Sequence, residues 1–302
     1  MTRPRRQPGP RRDRAAARSH SRPRAKRRFG QHFLESAWAQ KVVTALGPMP
    51  GDVFVEIGPG TGALTFPLAA TGAPILAIEL DRGLAARLAA RVPGNVTVLA
   101  GDFLNTDWLP LLSGLEPQRL PGAADPPRRQ FRMVGNLPYN LSSPILFHLI
   151  DLHRHHAAFF VDATVMLQRE VADRLVARPG TKAYGALSVL AQMHTRIERR
   201  LDLPPGAFRP PPQVYSTVVR IEFVPAQAEV PDERAFDGLV KALFSQRRKT
   251  LANALKRYHS RLGPVVLQES GFDGRRRPET LQVVEIARLA QLFASADRPS
   301  VL

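Results

Sequence analysis

Six residues in the middle of the chain, Val134-Gly135-Asn136-Leu137-Pro138-Tyr139, combine an amide, a fixed proline and an aromatic at the end of an apolar run. Their types suit one demanding reaction. The exocyclic amine of adenine is a poor nucleophile, because its lone pair is delocalised into the ring, and alkylating it requires drawing that pair out of the plane. The side-chain oxygen of Asn136 and a backbone carbonyl, that of Pro138, are suited to accept the two amine hydrogens and to stabilise the developing positive charge. Tyr139 is suited to stack on the base. A plainer reading is a strand-to-loop turn in which Asn and Pro serve backbone geometry. Taken alone, these residues favour the plainer reading, and the rest of the chain reverses it.

The elements that must position the turn follow from hydrophobic periodicity. The pattern predicts strands over Val53–Ile57, Ile75–Ile78 and Val96–Leu99, with helices over 63–70 and 84–90 between them. The strand that ends in Phe131–Val134 delivers the turn, and a loop containing Pro, Gly and Arg, residues 111–130, precedes it. Further on, the pattern gives helices over 144–149, 171–176 and 184–193, and strands over 163–167, Thr195–Leu203 and 216–224. Strands alternating with helices in this way make a parallel sheet with helices on both faces.

The strand ends carry polar residues. The first runs into Glu56-Ile57-Gly58-Pro59-Gly60-Thr61-Gly62, whose glycines let the backbone approach a ligand closely between strand and helix. Glu79, at the end of the second strand, lies 21 residues beyond Gly58, where an acid accepts hydrogen bonds from ribose hydroxyls. Asp102, with Phe103 beside it, closes the third and is suited to read and pack an adenine ring. The three ends converge on one rim of the sheet, where doubly wound folds bind ligands. No P-loop lysine is present, and the acids stand where a nucleoside rather than a polyphosphate would lie. S-adenosylmethionine is the economical ligand.

The segment Leu203-Pro204-Pro205-Gly206-Ala207-Phe208-Arg209-Pro210-Pro211-Pro212, between two adjacent late strands, reads as a stiff loop. It is expected to present Phe208 as a second aromatic facing Tyr139, clamping a flipped base. His153, His155 and His156 fit no usual metal-ligand spacing and read as surface residues, so no metal site is expected.

Composition sets the outer limits. The 302 residues, 44% hydrophobic, leave room for one ordinary domain and a smaller one. No apolar run approaches the roughly 18 residues of a membrane span. The absence of cysteine excludes thiolate catalysis, disulfides and cysteine-ligated zinc. Residues 1–28 hold eleven Arg and one Lys against a single Asp, a net +11 of the chain's +17. This arm, rich in Pro and poor in apolar residues, reads as a disordered tail suited to a polyanion. A solubilising leader, a start site placed too far upstream and a transit peptide are the competing readings of it. Its prolines argue against the last, and no apolar stretch of a secretion signal follows.

A boundary is expected within residues 225–234. It separates a catalytic domain, 29–228, from a helical domain, 229–302, with helices over 235–256, 264–270 and 281–294. Gln246-Arg247-Arg248-Lys249-Thr250 falls within the first of these, its charges facing solvent or RNA.

With these motifs assembled, the chain closely resembles the bacterial ribosomal RNA adenine dimethyltransferase family, and within it the enzyme acting on the small subunit. The resemblance runs from about Phe29 to Phe293. It is carried by Gly30–Leu34, Glu56–Gly62, Glu79–Asp81, Asn136–Tyr139 with the following Asn140-Leu141-Ser142-Ser143-Pro144, Pro205–Ser216 and Gln246–Thr250. The resemblance implies a Rossmann-like seven-stranded sheet with its last strand reversed and a small helical C-terminal domain. It implies that His32, Leu34, Gly58, Glu79, Asp102 and Asn136 contact S-adenosylmethionine, with Gly60 in the same glycine turn. Many family members have Asn where this chain has His32. The implied partners are ribosomal RNA and the small ribosomal subunit or its precursor, with a role in its assembly, for a monomeric cytoplasmic enzyme. Two alternatives stay open: a macrolide-resistance methyltransferase acting on large-subunit RNA, and a non-catalytic RNA-binding assembly factor.

Overall fold

The computed structural model describes residues 32–113, 131–156 and 160–297. The basic tail, Gly30, Gln31 and most of the loop at 111–130 lie outside the described residues.

In chain order the elements are β1 (Phe33–Leu34), α1 (Ser36–Leu46), β2 (Val53–Ile57), α2 (Thr65–Ala69), β3 (Ile75–Glu79), α3 (Arg82–Ala89), β4 (Val96–Ala100), α4 (Trp108–Ser113), β5 (Phe131–Asn136), α5 (Ser142–His156), β6 (Phe160–Gln168), α6 (Arg169–Leu175), α7 (Ala186–Gln192), β7 (Thr195–Leu203), β8 (Phe208–Arg209), β9 (Ser216–Phe223), α8 (Glu233–Ser245), α9 (Leu251–Tyr258), α10 (Leu262–Ser270) and α11 (Val283–Ala296). Seven strands form one sheet in the order β4-β3-β2-β5-β6-β9-β7. The first five run parallel, and β9, the last in sequence, is reversed between β6 and β7. β1 and β8 pair separately, Leu34 opposite Phe208.

Every residue of β2 and β3 is buried, as expected of parallel strands covered on both faces. Strand alternation splits their side chains between two cores. Val53, Val55 and Ile57 join Met133, Val165 and the α5 residues Ile145, Leu146 and Leu149 on one face. Phe54 joins Val134, Met166, Val218 and the α1 and α2 residues Val42, Val43 and Leu68 on the other. A third core gathers α8, α9, α10 and α11 around Leu243, Leu255, Val266 and Ile286, and it also takes in Tyr184, Val189 and Met193 around α7.

Apolar periodicity predicts one helix over 235–256, but the chain breaks there into α8 and α9. The reason is capping. Thr250 Oγ1 accepts the Asn253 N–H, while the Leu251 and Ala252 N–H groups donate to the carbonyls of Arg276 and Gly274 at 2.7 and 3.1 Å. The first donors of α9 thus find partners outside any continuing helix, and residues 246–250 form the link between two helices. A second correction concerns His153. Helix α5 extends well past the expected 149, and this carries His153 onto Phe223, with ring centroids 4.9 Å apart. It is a packed residue rather than a surface one.

Beneath the N-terminal ends of the strands, the buried Arg132 ties several elements together. Its guanidinium grips Asp162 with two bonds of 2.9 and 3.0 Å, reaches Asp52 at 2.7 Å and caps the α1 carbonyls of Leu46 and Gly47. Asp162 is fully buried and also accepts from Arg220 at 2.8 Å. Removing one partner from such a cluster strands a buried charge. Asp162→Ala is therefore expected to lower unfolding stability by roughly 3 to 5 kcal/mol in denaturant melts. A loss under about 1 kcal/mol would show the cluster to be inessential.

Candidate active site

The C-terminal ends of β2, β3, β4 and β5 open into one pocket. His32, Leu34, Gly58, Gly60, Glu79, Asp102, Asn136, Pro138 and Tyr139, singled out from sequence, all line it. Parallel register brings them together: Ile57 pairs with Gly135 on one side and Ile78 on the other, and Glu79 pairs with Ala100.

The glycine turn after β2 is held open by backbone conformation. Gly58 and Gly60 have φ of 65° and 59°, where L side chains are rare. A Cβ at Gly58 would project into open space, the space a ligand would use. At Gly62, by contrast, a Cβ would fall 2.6 Å from the Phe66 ring, so that glycine serves packing. The Gly60 N–H donates to one Glu79 oxygen and the Asp81 N–H to the other, both at 2.9 Å. Glu79 is buried, and burial raises its pKa above the ordinary value, partly offset by these two N–H donors. Asp102 accepts the Leu104 N–H and the Asn105 side-chain amide, which fixes the turn after β4. Phe103 lines the pocket while packed against Trp108 at 4.8 Å.

Asn136 is tied by its amide N–H to the His32 carbonyl at 2.7 Å. With its nitrogen engaged, the oxygen is the end left to accept a hydrogen from elsewhere. His32 Nδ1 bonds the Pro210 carbonyl at 2.8 Å, and its ring stacks on Tyr139 with centroids 5.3 Å apart. The Tyr139 hydroxyl shares a 2.7 Å hydrogen bond with Ser216 Oγ at the start of β9. Burial pushes this phenol's pKa up.

Phe208 does not face Tyr139. It is 1% exposed, sits in β8 opposite Leu34 and belongs to the core beneath α1. The proline-rich segment thus turns its aromatic inward, because pairing with β1 gives Phe208 an apolar berth. The ring that meets Tyr139 is that of His32.

Two participants had gone unassigned. Ser216 closes one of the stretches that carry the resemblance, but nothing local marks it as the partner of Tyr139, 77 residues away. Glu56 does carry a local mark, as a lone acid in an otherwise apolar strand next to the glycine turn. It is 2% exposed, lines the pocket, and has the Thr65 hydroxyl as donor at 2.7 Å. Burial, with Glu79 nearby, raises its pKa from 4.5 to about 7.

Comparison with known proteins places this geometry. The family model for ribosomal RNA adenine dimethylase matches residues 22–294. The chain belongs to that family. It is 43% identical over 280 residues to the ribosomal RNA small subunit methyltransferase A of Paraburkholderia xenovorans, an alignment covering 90% of this chain and 94% of that one. Identity to the protein of the same name from Xanthomonas euvesicatoria is 41% over 277 residues, covering 89% and 96%. Among solved structures, a dimethyladenosine transferase from Plasmodium falciparum superposes with a TM-score of 0.69 at 23% identity, covering 87% of this chain and 98% of that one. The 23S rRNA methyltransferase ErmE gives 0.59 at 23% identity, covering 87% and 99%. These two establish the shared fold. The chain is thus a ribosomal RNA adenine dimethyltransferase by family, built on a seven-stranded methyltransferase sheet.

The raised pKa of Glu56 has a thermodynamic signature. Between 4.5 and about 7 the folded chain holds a proton that the unfolded chain releases. Stability therefore falls as pH rises through that window. Glu56→Gln is expected to remove this part of the slope, so that the parent loses on the order of 3 kcal/mol relative to the variant from about pH 4.5 to pH 7. Parallel pH profiles in denaturant melts would show that folding leaves the pKa of Glu56 unshifted.

Proposed function

We propose that this chain transfers methyl groups from S-adenosylmethionine to the exocyclic amines of adenosines in small-subunit ribosomal RNA, dimethylating two adjacent residues near the 3' end. One observation carries the reading: Asn136 stands at the pocket rim with its amide nitrogen held by the His32 carbonyl and its oxygen accepting from none of the described residues, beside Pro138 and Tyr139.

The pocket suits the methyl donor in shape and charge. Glu79 spends one hydrogen-bonding direction of each oxygen on backbone N–H groups, and its remaining lone pairs serve two ribose hydroxyls. The open space over Gly58 admits close approach by the methionine portion, Asp102 stands at the adenine end, and Leu34 is part of the wall. S-adenosylmethionine bound there supplies an electrophilic methyl on a sulfonium centre.

The protein's own part is orientation and charge stabilisation. Asn136 Oδ1 and the Pro138 carbonyl accept the two hydrogens of the target amine, which turns its lone pair out of the ring plane and stabilises positive charge as it develops. Tyr139 stacks the extruded base on the ring face that His32 leaves uncovered, and the Ser216 bond keeps that ring from swinging. The methylated amine is acidic and loses its proton to water after transfer, so no histidine or carboxylate base takes part. Release of that proton restores a neutral amine with one N–H remaining, which one of the two acceptors can hold while the lone pair attacks a second methyl group.

The choice of the small subunit is supported by relatives at 43% and 41% identity that bear the name small subunit methyltransferase A. Mass mapping of adenine methylation in ribosomal RNA, with and without this protein, tests it. Dimethylated adenosines confined to small-subunit RNA are expected. Methylation of large-subunit RNA would favour the macrolide-resistance activity, and no methylation of either would favour a non-catalytic assembly factor.

A further inference from the structure

Immediately before β9, one residue ahead of the hydroxyl partner of Tyr139, stands an aromatic that the mechanism above does not use. Tyr215 is 45% exposed and Val214 43% exposed, and they immediately precede Ser216, the hydroxyl partner of Tyr139. Tyr215 is therefore one residue step, about 3.8 Å of backbone, from the contact that fixes the base-stacking ring. Its carbonyl accepts the Arg169 N–H at 2.9 Å, and the Arg169 guanidinium lies 5.0 Å over its ring.

Singly exposed aromatics are ordinary on protein surfaces. This one is held in place from the backbone and from one ring face, while nearly half of it stays open to solvent. A tyrosine backed by a guanidinium is a sequence-tolerant stacking surface for a base, and the exposed Arg169 charge is within reach of the phosphate that such a base carries. A protein chain docking here would also need an apolar surface of some extent, whereas Val214 and Tyr215 form a short ledge beside a cation. That pattern fits single-stranded RNA.

We propose that Tyr215, backed by Arg169, is a substrate-positioning residue that stacks the nucleotide next to the target adenosine while Tyr139 holds the target itself. The proposal rests on the RNA-methylation reading. It also gives the site a means of holding the strand while the base is out of its stack, adding to the compensation that Tyr139 provides for extrusion.

The test uses the full-length chain, unmethylated small ribosomal subunits and radiolabelled methyl donor. Tyr215→Ala is expected to raise the KM for subunits about tenfold, with the loss falling on KM rather than kcat and with donor affinity by calorimetry at the parent value. Tyr215→Phe should restore the parent KM, since the ring and not the hydroxyl does the stacking. Arg169→Ala should raise KM and reduce the salt dependence of RNA binding by about one phosphate contact. A parent-like KM in Tyr215→Ala would overturn the proposal, and so would Tyr215→Phe as impaired as the alanine variant. Absence of methyl transfer by the parent chain would instead overturn the functional reading, and the stacking surface with it.

Discussion

The pocket rim depends on how closely the β2 and β5 backbones run together. Gly135 pairs with Ile57, and a Cβ at Gly135 would lie 2.7 Å from the Ile57 carbonyl oxygen, a distance real Cβ contacts do not show. Only glycine lets β5 hold that register up to its last residue. Because it does, Asn136 leaves the sheet directly beside the turn at Gly58, and the residue meant for the acceptor amine meets the residues meant for the donor. Everything further out builds on that approach. The β1–β8 pair carries His32 across the opening, where its carbonyl fixes the Asn136 amide and its ring covers one side of Tyr139.

The two acids of the pocket are differentiated by their hydrogen-bond partners. Glu56 and Glu79 are both buried, and the charge of Glu79 adds to the burial that raises the proton affinity of Glu56. Two such carboxylates do not both ionise without cost. Glu79 has a backbone N–H on each oxygen, whereas among the described residues Glu56 has the Thr65 hydroxyl as its donor. Glu79 is accordingly the better stabilised anion and Glu56 the group that retains a proton toward neutral pH. A bound cationic group would shift that balance, which makes the pair a reporter of what occupies the pocket.

Much of this was legible in the sequence because it rests on local signals. Continuous apolar runs give buried parallel strands, closely spaced glycines mark the turn after β2, and the acid at each following strand end is read by its place. The misread residues depend on long-range partners. Phe208 was expected at the surface from a proline-rich context, but its berth is made by Leu34 and α1, some 174 residues away in sequence. The break between α8 and α9 needs the carbonyls of Gly274 and Arg276, which no periodicity in 235–256 encodes. His153 reads as a surface residue from its lack of metal-ligand spacing, and its packing on Phe223 appears only because α5 runs on to His156, about two turns past the expected end. Ser216 belongs with these, since its importance exists only once β9 lies beside the turn that carries Tyr139.

The central claim is that Asn136 acts as an acceptor to the reacting amine, and one measurement addresses it most directly. Single-turnover methyl transfer to unmethylated small subunits should be compared for the parent and Asn136→Ala at saturating donor, with RNA binding measured in parallel. The account predicts a rate lower by about a hundred- to a thousandfold, the usual cost of removing one such preorganised group, with RNA affinity near the parent value. A variant that methylates at the parent rate under those conditions would contradict it.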